Sequence, residues 1–453
     1  MGSPWVPAGT RVRTGGRRSR RRPSVELAAA AALVALVALA LRPGVGLGGV
    51  MALAFLAARV LWWAALRAWR RVRHGSPRDP RRRVRASLGR RAMAVATTAA
   101  IFTLVLAMSS YVGAVTRRSN SSLAIRSVEW LRDNGGASLV SQIETFFYSI
   151  DAPSKGGPAL VRLPSVGVRG AAAGELRRMS RDRPPALRPV MHPRLAGEGV
   201  WHATQGRFAG LAVPPLLVTT YRPDPSYPRV VAGLAWINSR RATVSLYSGI
   251  QEPPVAGGGP SEVPFAARGS LLATFNSGFR HKDGGGGYFV HGRLFEPMEP
   301  GVATVVRLAN GRMDVRTWNG GVRPGPGVTF ARQNLPLIVD HGRPNPNLDN
   351  GPAWGVAVGA SVMVWRSGLG VDRRGNLIYA AAPDQTVRGL ARILIHGGAV
   401  RAMELDINSY WVTLNSYRKT GGRGARKLLA GMTRPALRYL SPDDRDFFAV
   451  STR

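Results

Sequence analysis

The chain has 453 residues, 45% of them hydrophobic, and a formal net charge of +38. It is long enough for one substantial domain and a further apolar region. It has no cysteine, which excludes disulfides, zinc–thiolate centres, iron–sulfur clusters and cysteine nucleophiles.

Much of the arginine lies in two clusters, residues 11–22 and 67–91, and both flank apolar runs. That placement follows the positive-inside rule, so nucleic acid is not expected as a partner. Residues 1–24 read as a basic cytoplasmic tail. Apolar runs at 25–41, 45–66 and 92–115 approach the roughly 20 residues that a membrane-spanning helix needs. Residues 25–115 are therefore expected to form three transmembrane helices, with the basic loop 67–91 in the cytoplasm. Arg59, inside the second run, is expected to snorkel to the cytoplasmic face. Everything beyond residue 116 then lies outside, giving a multi-pass plasma-membrane protein with the lipid bilayer as a partner.

Residues 121–150 read as helix, with an interrupted apolar stripe broken by Asn134-Gly135-Gly136. They suggest a helical hairpin within a stalk-and-linker region at 116–200. From 151 to 199 the chain is rich in proline, glycine and arginine. Beyond residue 201 short apolar strands alternate with turns. Strands are expected at 216–221, 230–236, 242–247, 271–275, 288–290, 303–308, 313–318, 335–339, 356–365 and 377–381. A helix follows at 386–395, stopped by Gly397-Gly398, and then a strand at 402–406. Residues 201–453 form the expected extracytoplasmic domain, strand-rich and of the α+β class.

No serine-nucleophile elbow, zinc-protease helix or phosphate-binding lysine loop is present. The histidines are scattered without ligand spacing, so neither a metal nor a cofactor is expected. What remains is a set of polar residues at strand ends. Asn276 and Gly278 follow one apolar run, and Arg366 follows another. Glu404, Asp406 and Asn408 alternate with apolar residues, which in a strand puts them on one face. Tyr410 and Trp411 stand beside them. Carboxylates and amides bind hydroxyls, and aromatic rings stack on sugars, so this cluster suits carbohydrate recognition. The same face could equally meet solvent. Asp372 with Gly375-Asn376 reads as a turn, and 283–287 as a glycine-rich hairpin tip.

These residues resemble the phosphodiester glycosidase family, that of N-acetylglucosamine-1-phosphodiester alpha-N-acetylglucosaminidase. The resemblance runs from about residue 271 to 417. It rests on Asn276-Ser277-Gly278-Phe279, on Arg366-Ser367-Gly368-Leu369-Gly370, on the charged turn and strand at 372–379, on Gly398-Ala399 and on Glu404-Leu405-Asp406-Ile407-Asn408-Ser409, in the family's order. Three outlying stretches, 127–133, 332–336 and 444–448, are similar to a membrane-anchored actinobacterial branch. One departure stands out. The family's glycine-rich strand end is replaced here by Ile407-Asn408-Ser409-Tyr410, and glycines there would let backbone amides approach a phosphate.

The resemblance implies a membrane-anchored extracytoplasmic hydrolase of sugar phosphodiesters in the cell envelope. Arg366 would neutralise the phosphate. Asp406 would act as general acid or base, with Glu404 as a spare carboxylate. Asn276, Gly278, Asn408 and Trp411 would line the substrate. Two alternatives stand beside it: a non-catalytic binder of phosphorylated envelope glycan, and a scaffold in envelope synthesis.

Overall fold

The structure is a computed structural model that describes residues 104–150, 155–168, 182–253, 259–355 and 363–453. The chain divides into two compact units, Met1–Val115 and Thr116–Arg453. In the second unit the main described elements are, in order, helices α1 (Leu123–Leu131) and α2 (Ala137–Ile150), then strands β1 (His202–Ala203), β2 (Leu216–Tyr221), β3 (Ala232–Ile237), β4 (Ala242–Tyr247), β5 (Leu271–Asn276), β6 (Tyr288–Val290), β7 (Arg293–Glu296), β8 (Ala303–Leu308) and β9 (Met313–Thr317), with one further helical turn at His281–Gly284 between β5 and β6. After these come β10 (Val328–Gln333), β11 (Leu337–Asp340), β12 (Arg343–Pro344), β13 (Val364–Asp372), β14 (Leu377–Gln385), helix α3 (Val387–His396), β15 (Ala399–Ile407), β16 (Leu414–Tyr417), β17 (Ala425–Lys427) and β18 (Phe447–Thr452).

The strands make three antiparallel sheets. Eight run in the order β1-β2-β3-β14-β13-β15-β11-β12, five as β7-β6-β10-β8-β9 and five as β17-β16-β5-β18-β4. The domain is strand-rich α+β. The main core lies where the sheets meet. Leu216, Leu369, Tyr379 and Met403 of the large sheet join Phe275, Leu414 and Phe448 of one small sheet and Val305 and Phe330 of the other. The opposite face of the large sheet is covered by α3, whose Val387, Leu390, Ala391 and Leu394 are fully buried. Sheets buried on both faces explain why β2, β3 and β14 read as continuous apolar runs rather than alternating ones.

Helix α3 starts at an N-cap, Thr386, whose hydroxyl accepts a 3.0 Å hydrogen bond from the amide of Gly389. We expect Thr386→Ala to cost about 1 kcal/mol, and Thr386→Ser to restore most of it, in urea denaturation midpoints. Helices α1 and α2 form a hairpin. The chain turns between them at Asn134 (φ −110°) and Gly135 (φ 90°), the latter a left-handed conformation that glycine adopts without strain. The segment leading into α1 is tied to the C-terminal part of the domain. Ser119 Oγ donates to Asp444 at 2.7 Å, and the Asn120 amide donates to the Pro442 carbonyl at 3.0 Å.

The expected membrane region is corrected here. Among the described residues no helix is long and apolar enough to cross a membrane. The expected spans 25–41 and 45–66 lie outside the described residues, as does the start of 92–115, and the described remainder, 104–116, is helical. The three-helix transmembrane region therefore finds no support. The lipid bilayer as a partner, the plasma-membrane location and the membrane-anchored branch of the family rested on those spans and find no support among the described residues.

Candidate functional site

β13 and β15 lie side by side in the large sheet, with Gly368 opposite Glu404 and Arg366 opposite Ile407. This neighbouring brings the expected catalytic residues close to one another, but each has its own partner. Arg366 Nη1 donates to Glu404 Oε1 at 2.6 Å, and its Nε donates to the carbonyl of Gln385 at 2.8 Å. Both side chains have zero exposure. Burial pushes the Glu404 carboxyl up, and Arg366 opposes that shift. Glu404 Oε2 is buried without a hydrogen-bond partner.

Asp406 sits at the end of the same strand. Its Oδ1 accepts from the Ile407 amide at 2.8 Å, and its Oδ2 accepts from Arg445 Nη2 at 3.1 Å. Burial raises this carboxyl to about 7, against the lowering influence of Arg445 and of the Ile407 amide. Ser367 locks the backbone here, donating to the Asp406 carbonyl at 2.9 Å and accepting from its amide at 3.2 Å.

The expected substrate residues are similarly engaged. Asn276 Nδ2 donates to the Ser277 carbonyl at 2.8 Å and to Ser367 Oγ at 3.0 Å. Its Oδ1 accepts from Tyr379 and from the Thr413 amide, both at 3.0 Å. An amide side chain with two donors and two acceptor lone pairs is thereby saturated. Gly278 lies against Asn334, where a Cβ would meet that side chain at 2.8 Å. Its smallness thus serves internal packing. Asn408 lies just past the end of β15 with φ 86°. Its Oδ1 accepts from the Tyr410 amide at 3.0 Å, and its Nδ2 donates to Glu144 of α2 at 3.4 Å. Trp411 is buried, and its ring is contacted by the guanidiniums of Arg445, Arg438 and Arg434 at 4.7, 5.3 and 5.8 Å. Cations on an indole are favourable. Each polar residue of this strand end thus has its own partner, Glu404 with Arg366, Asp406 with Arg445 and Asn408 with Glu144.

Residues that sequence reasoning did not single out complete the arrangement. Arg438 makes a two-pronged pair with Asp443, at 2.7 and 3.0 Å, and also donates to Thr413 Oγ1 at 2.9 Å. Arg332 pairs with Asp446 at 2.8 Å. Arg332 and Asp444-Arg445-Asp446 enter the sequence reading only through the resemblance. Arg332 and Asp446 lie 114 residues apart along the chain, which leaves no spacing signal. Among the described residues no three of His, Asp and Glu come together as a group that could hold a metal.

No protein-family model matches the chain, and no curated protein does. Solved structures with a partial likeness include the catalytic domain of zebrafish N-acetylglucosamine-1-phosphodiester alpha-N-acetylglucosaminidase. It is 14% identical over 65% of this chain and 97% of that one, with a TM-score of 0.38. A hypothetical protein from Synechocystis is 14% identical over 54% of this chain, with a TM-score of 0.34, and the match spans 63% of that protein. An exported protein from Burkholderia pseudomallei is 14% identical over 51% of this chain and 75% of its own, with a TM-score of 0.30. The likeness to a glycosidase fold is weak. At this level it assigns no activity. The expectation of a membrane-anchored extracytoplasmic hydrolase is accordingly corrected: its anchor finds no support, and the arginine assigned to the phosphate is committed to Glu404.

Proposed function

We propose that this chain binds a phosphorylated glycan without hydrolysing it. The observation that carries the reading is the Arg366–Glu404 pair. A guanidinium held at 2.6 Å by a carboxylate, both without exposure, has its charge balanced inside the protein. Releasing it to a substrate phosphate would strand a buried carboxylate. The charge excess of the chain supports an anionic ligand. Part of that excess is concentrated in the β16–β17 hairpin, where Arg418, Lys419 and Arg423 of the loop and Arg426 of β17 are exposed. Replacing these four by glutamine is expected to weaken binding of a poly(glycosyl phosphate) roughly tenfold and to flatten its salt dependence. Titration calorimetry at two ionic strengths checks both.

A second reading, a glycosidase acting on sugar phosphodiesters, is favoured by Asp406. A carboxyl raised to about 7 exchanges its proton at neutral pH, as a general acid must. Incubation with N-acetylglucosamine-1-phosphodiester separates the two. Release of free sugar that disappears in Asp406→Asn would overturn the binding reading, whereas polymer binding without release supports it.

A further inference from the structure

The turn after β5 holds a cationic cluster that the residues discussed so far leave aside. Arg280 is almost fully buried, its side chain 4% exposed. Its Nε pairs with Asp283 at 2.7 Å. Its Nη1 is met by two carboxylates of the helical hairpin, Glu129 at 2.7 Å and Asp133 at 3.0 Å. Its Nη2 is buried with no hydrogen-bond partner. Lys282 pairs with the same Asp133. Two further guanidiniums hold the backbone of this turn, Arg445 on the Gly278 carbonyl and Arg332 on the Phe279 carbonyl. Arg445 Nε is also buried without a partner. The hairpin reaches the end of β15 as well: Glu144, gripped by Arg132 at 2.8 and 2.9 Å, accepts from Asn408.

A buried guanidinium N–H left unbonded is costly. Two monodentate carboxylates on Nη1 leave the Nη2 edge unused, whereas a phosphate can take both nitrogens of the fork at once. Glu129 and Asp133 are a helical turn apart, and both bring negative charge to the same cations. We infer that Arg280 and Lys282 form a phosphate-binding subsite that the α1–α2 hairpin caps with its own carboxylates. The phosphate of a ligand and the hairpin then compete for one set of donors. Capped protein binds weakly because only the uncapped fraction is competent, and a bound phosphate loosens the hairpin in return. The inference rests on the glycan-binding reading only for the identity of the larger ligand.

The test uses the full chain, titrated calorimetrically with inorganic phosphate and with a poly(glycosyl phosphate). Glu129→Gln combined with Asp133→Asn removes the competing charge and is expected to tighten phosphate binding roughly tenfold. Adding Arg280→Gln to that variant abolishes it. Equal phosphate binding by native and neutralised protein, or binding that survives Arg280→Gln, or none in the neutralised variant, overturns the capped subsite. Phosphate binding of the expected pattern without polymer binding leaves the subsite standing and removes the glycan reading. Polymer binding indifferent to all three substitutions does the reverse. Hydrogen exchange on the native protein gives a second readout that needs no variant to fold. Saturating phosphate speeds exchange of the α1 amides if the hairpin is a competitor, and unchanged exchange at saturation overturns it.

Discussion

Arg366→Ala is expected to destabilise the domain by about 3–5 kcal/mol, because it leaves a buried carboxylate without its counter-charge. Glu404 has no exposure and already has one oxygen without a partner. Burial pushes its carboxyl up, and the arginine is the group that opposes this. Without the arginine, Glu404 can persist only by taking up a proton. The loss in Arg366→Ala should therefore be larger at pH 8 than at pH 5. Arg366 Nε also holds the Gln385 carbonyl at 2.8 Å, next to the Thr386 cap of α3, so some of the loss reflects the start of that helix. The double change Arg366→Met with Glu404→Met removes both charges and keeps volume. It should cost far less than the single change. Urea denaturation of the three proteins at both pH values decides the matter. A small loss in Arg366→Ala that does not vary with pH would mean that the pair is not a closed internal unit. The strongest objection to Arg366 as a phosphate ligand would then disappear.

The same pair marks where sequence reading reached and where it stopped. Strands such as Leu216–Tyr221, Ala242–Tyr247 and Ala303–Leu308 lie as expected, because uninterrupted β-branched and aromatic runs carry their own signal. The helix Val387–His396 was legible from its apolar stripe and its glycine stop. Val364–Asp372 was not recognised as a long central strand. Its arginine, serine and two glycines look like a strand end, but the large sheet buries them and satisfies their polar groups across the ladder. Phe447–Thr452 was missed for a related reason. It follows a run of acids and an arginine, yet it sits between β5 and β4 in its sheet. Alternation at Glu404 and Asp406 marks both as polar positions of the strand. What separates the two carboxylates is Arg366 for one and Arg445 for the other, and period-2 patterning carries no information about partners on other strands and loops.

Asp406 supplies the second large effect, a pH dependence whose sign is fixed by the direction of its shift. Its carboxyl rises from an ordinary 3.8 to about 7, with burial as the main cause. The folded protein then holds this proton more tightly than the unfolded chain. The stabilising contribution is complete below pH 4 and is lost as pH rises through 7. Between those limits the slope approaches about 1.4 kcal/mol per pH unit, or roughly 4 kcal/mol across the window. Asp443 works in the opposite sense: Arg438 holds it below the ordinary range despite its burial, so its contribution is lost only as pH falls below 4. Glu404, Glu252 and Glu144 are also raised, so the slope of the native protein alone cannot isolate Asp406. The difference between native protein and Asp406→Asn can, because the asparagine carries no titration. That difference in unfolding free energy, measured from pH 4 to pH 8, should shrink steadily in disfavour of the native protein and level off above pH 7. A difference that is flat across the window would return Asp406 to an ordinary ionised carboxylate locked to Arg445. It could then hold Arg445 against Trp411 and the Gly278 turn, but it would have no proton to donate at neutral pH, and the glycosidase reading would lose the one observation that favours it.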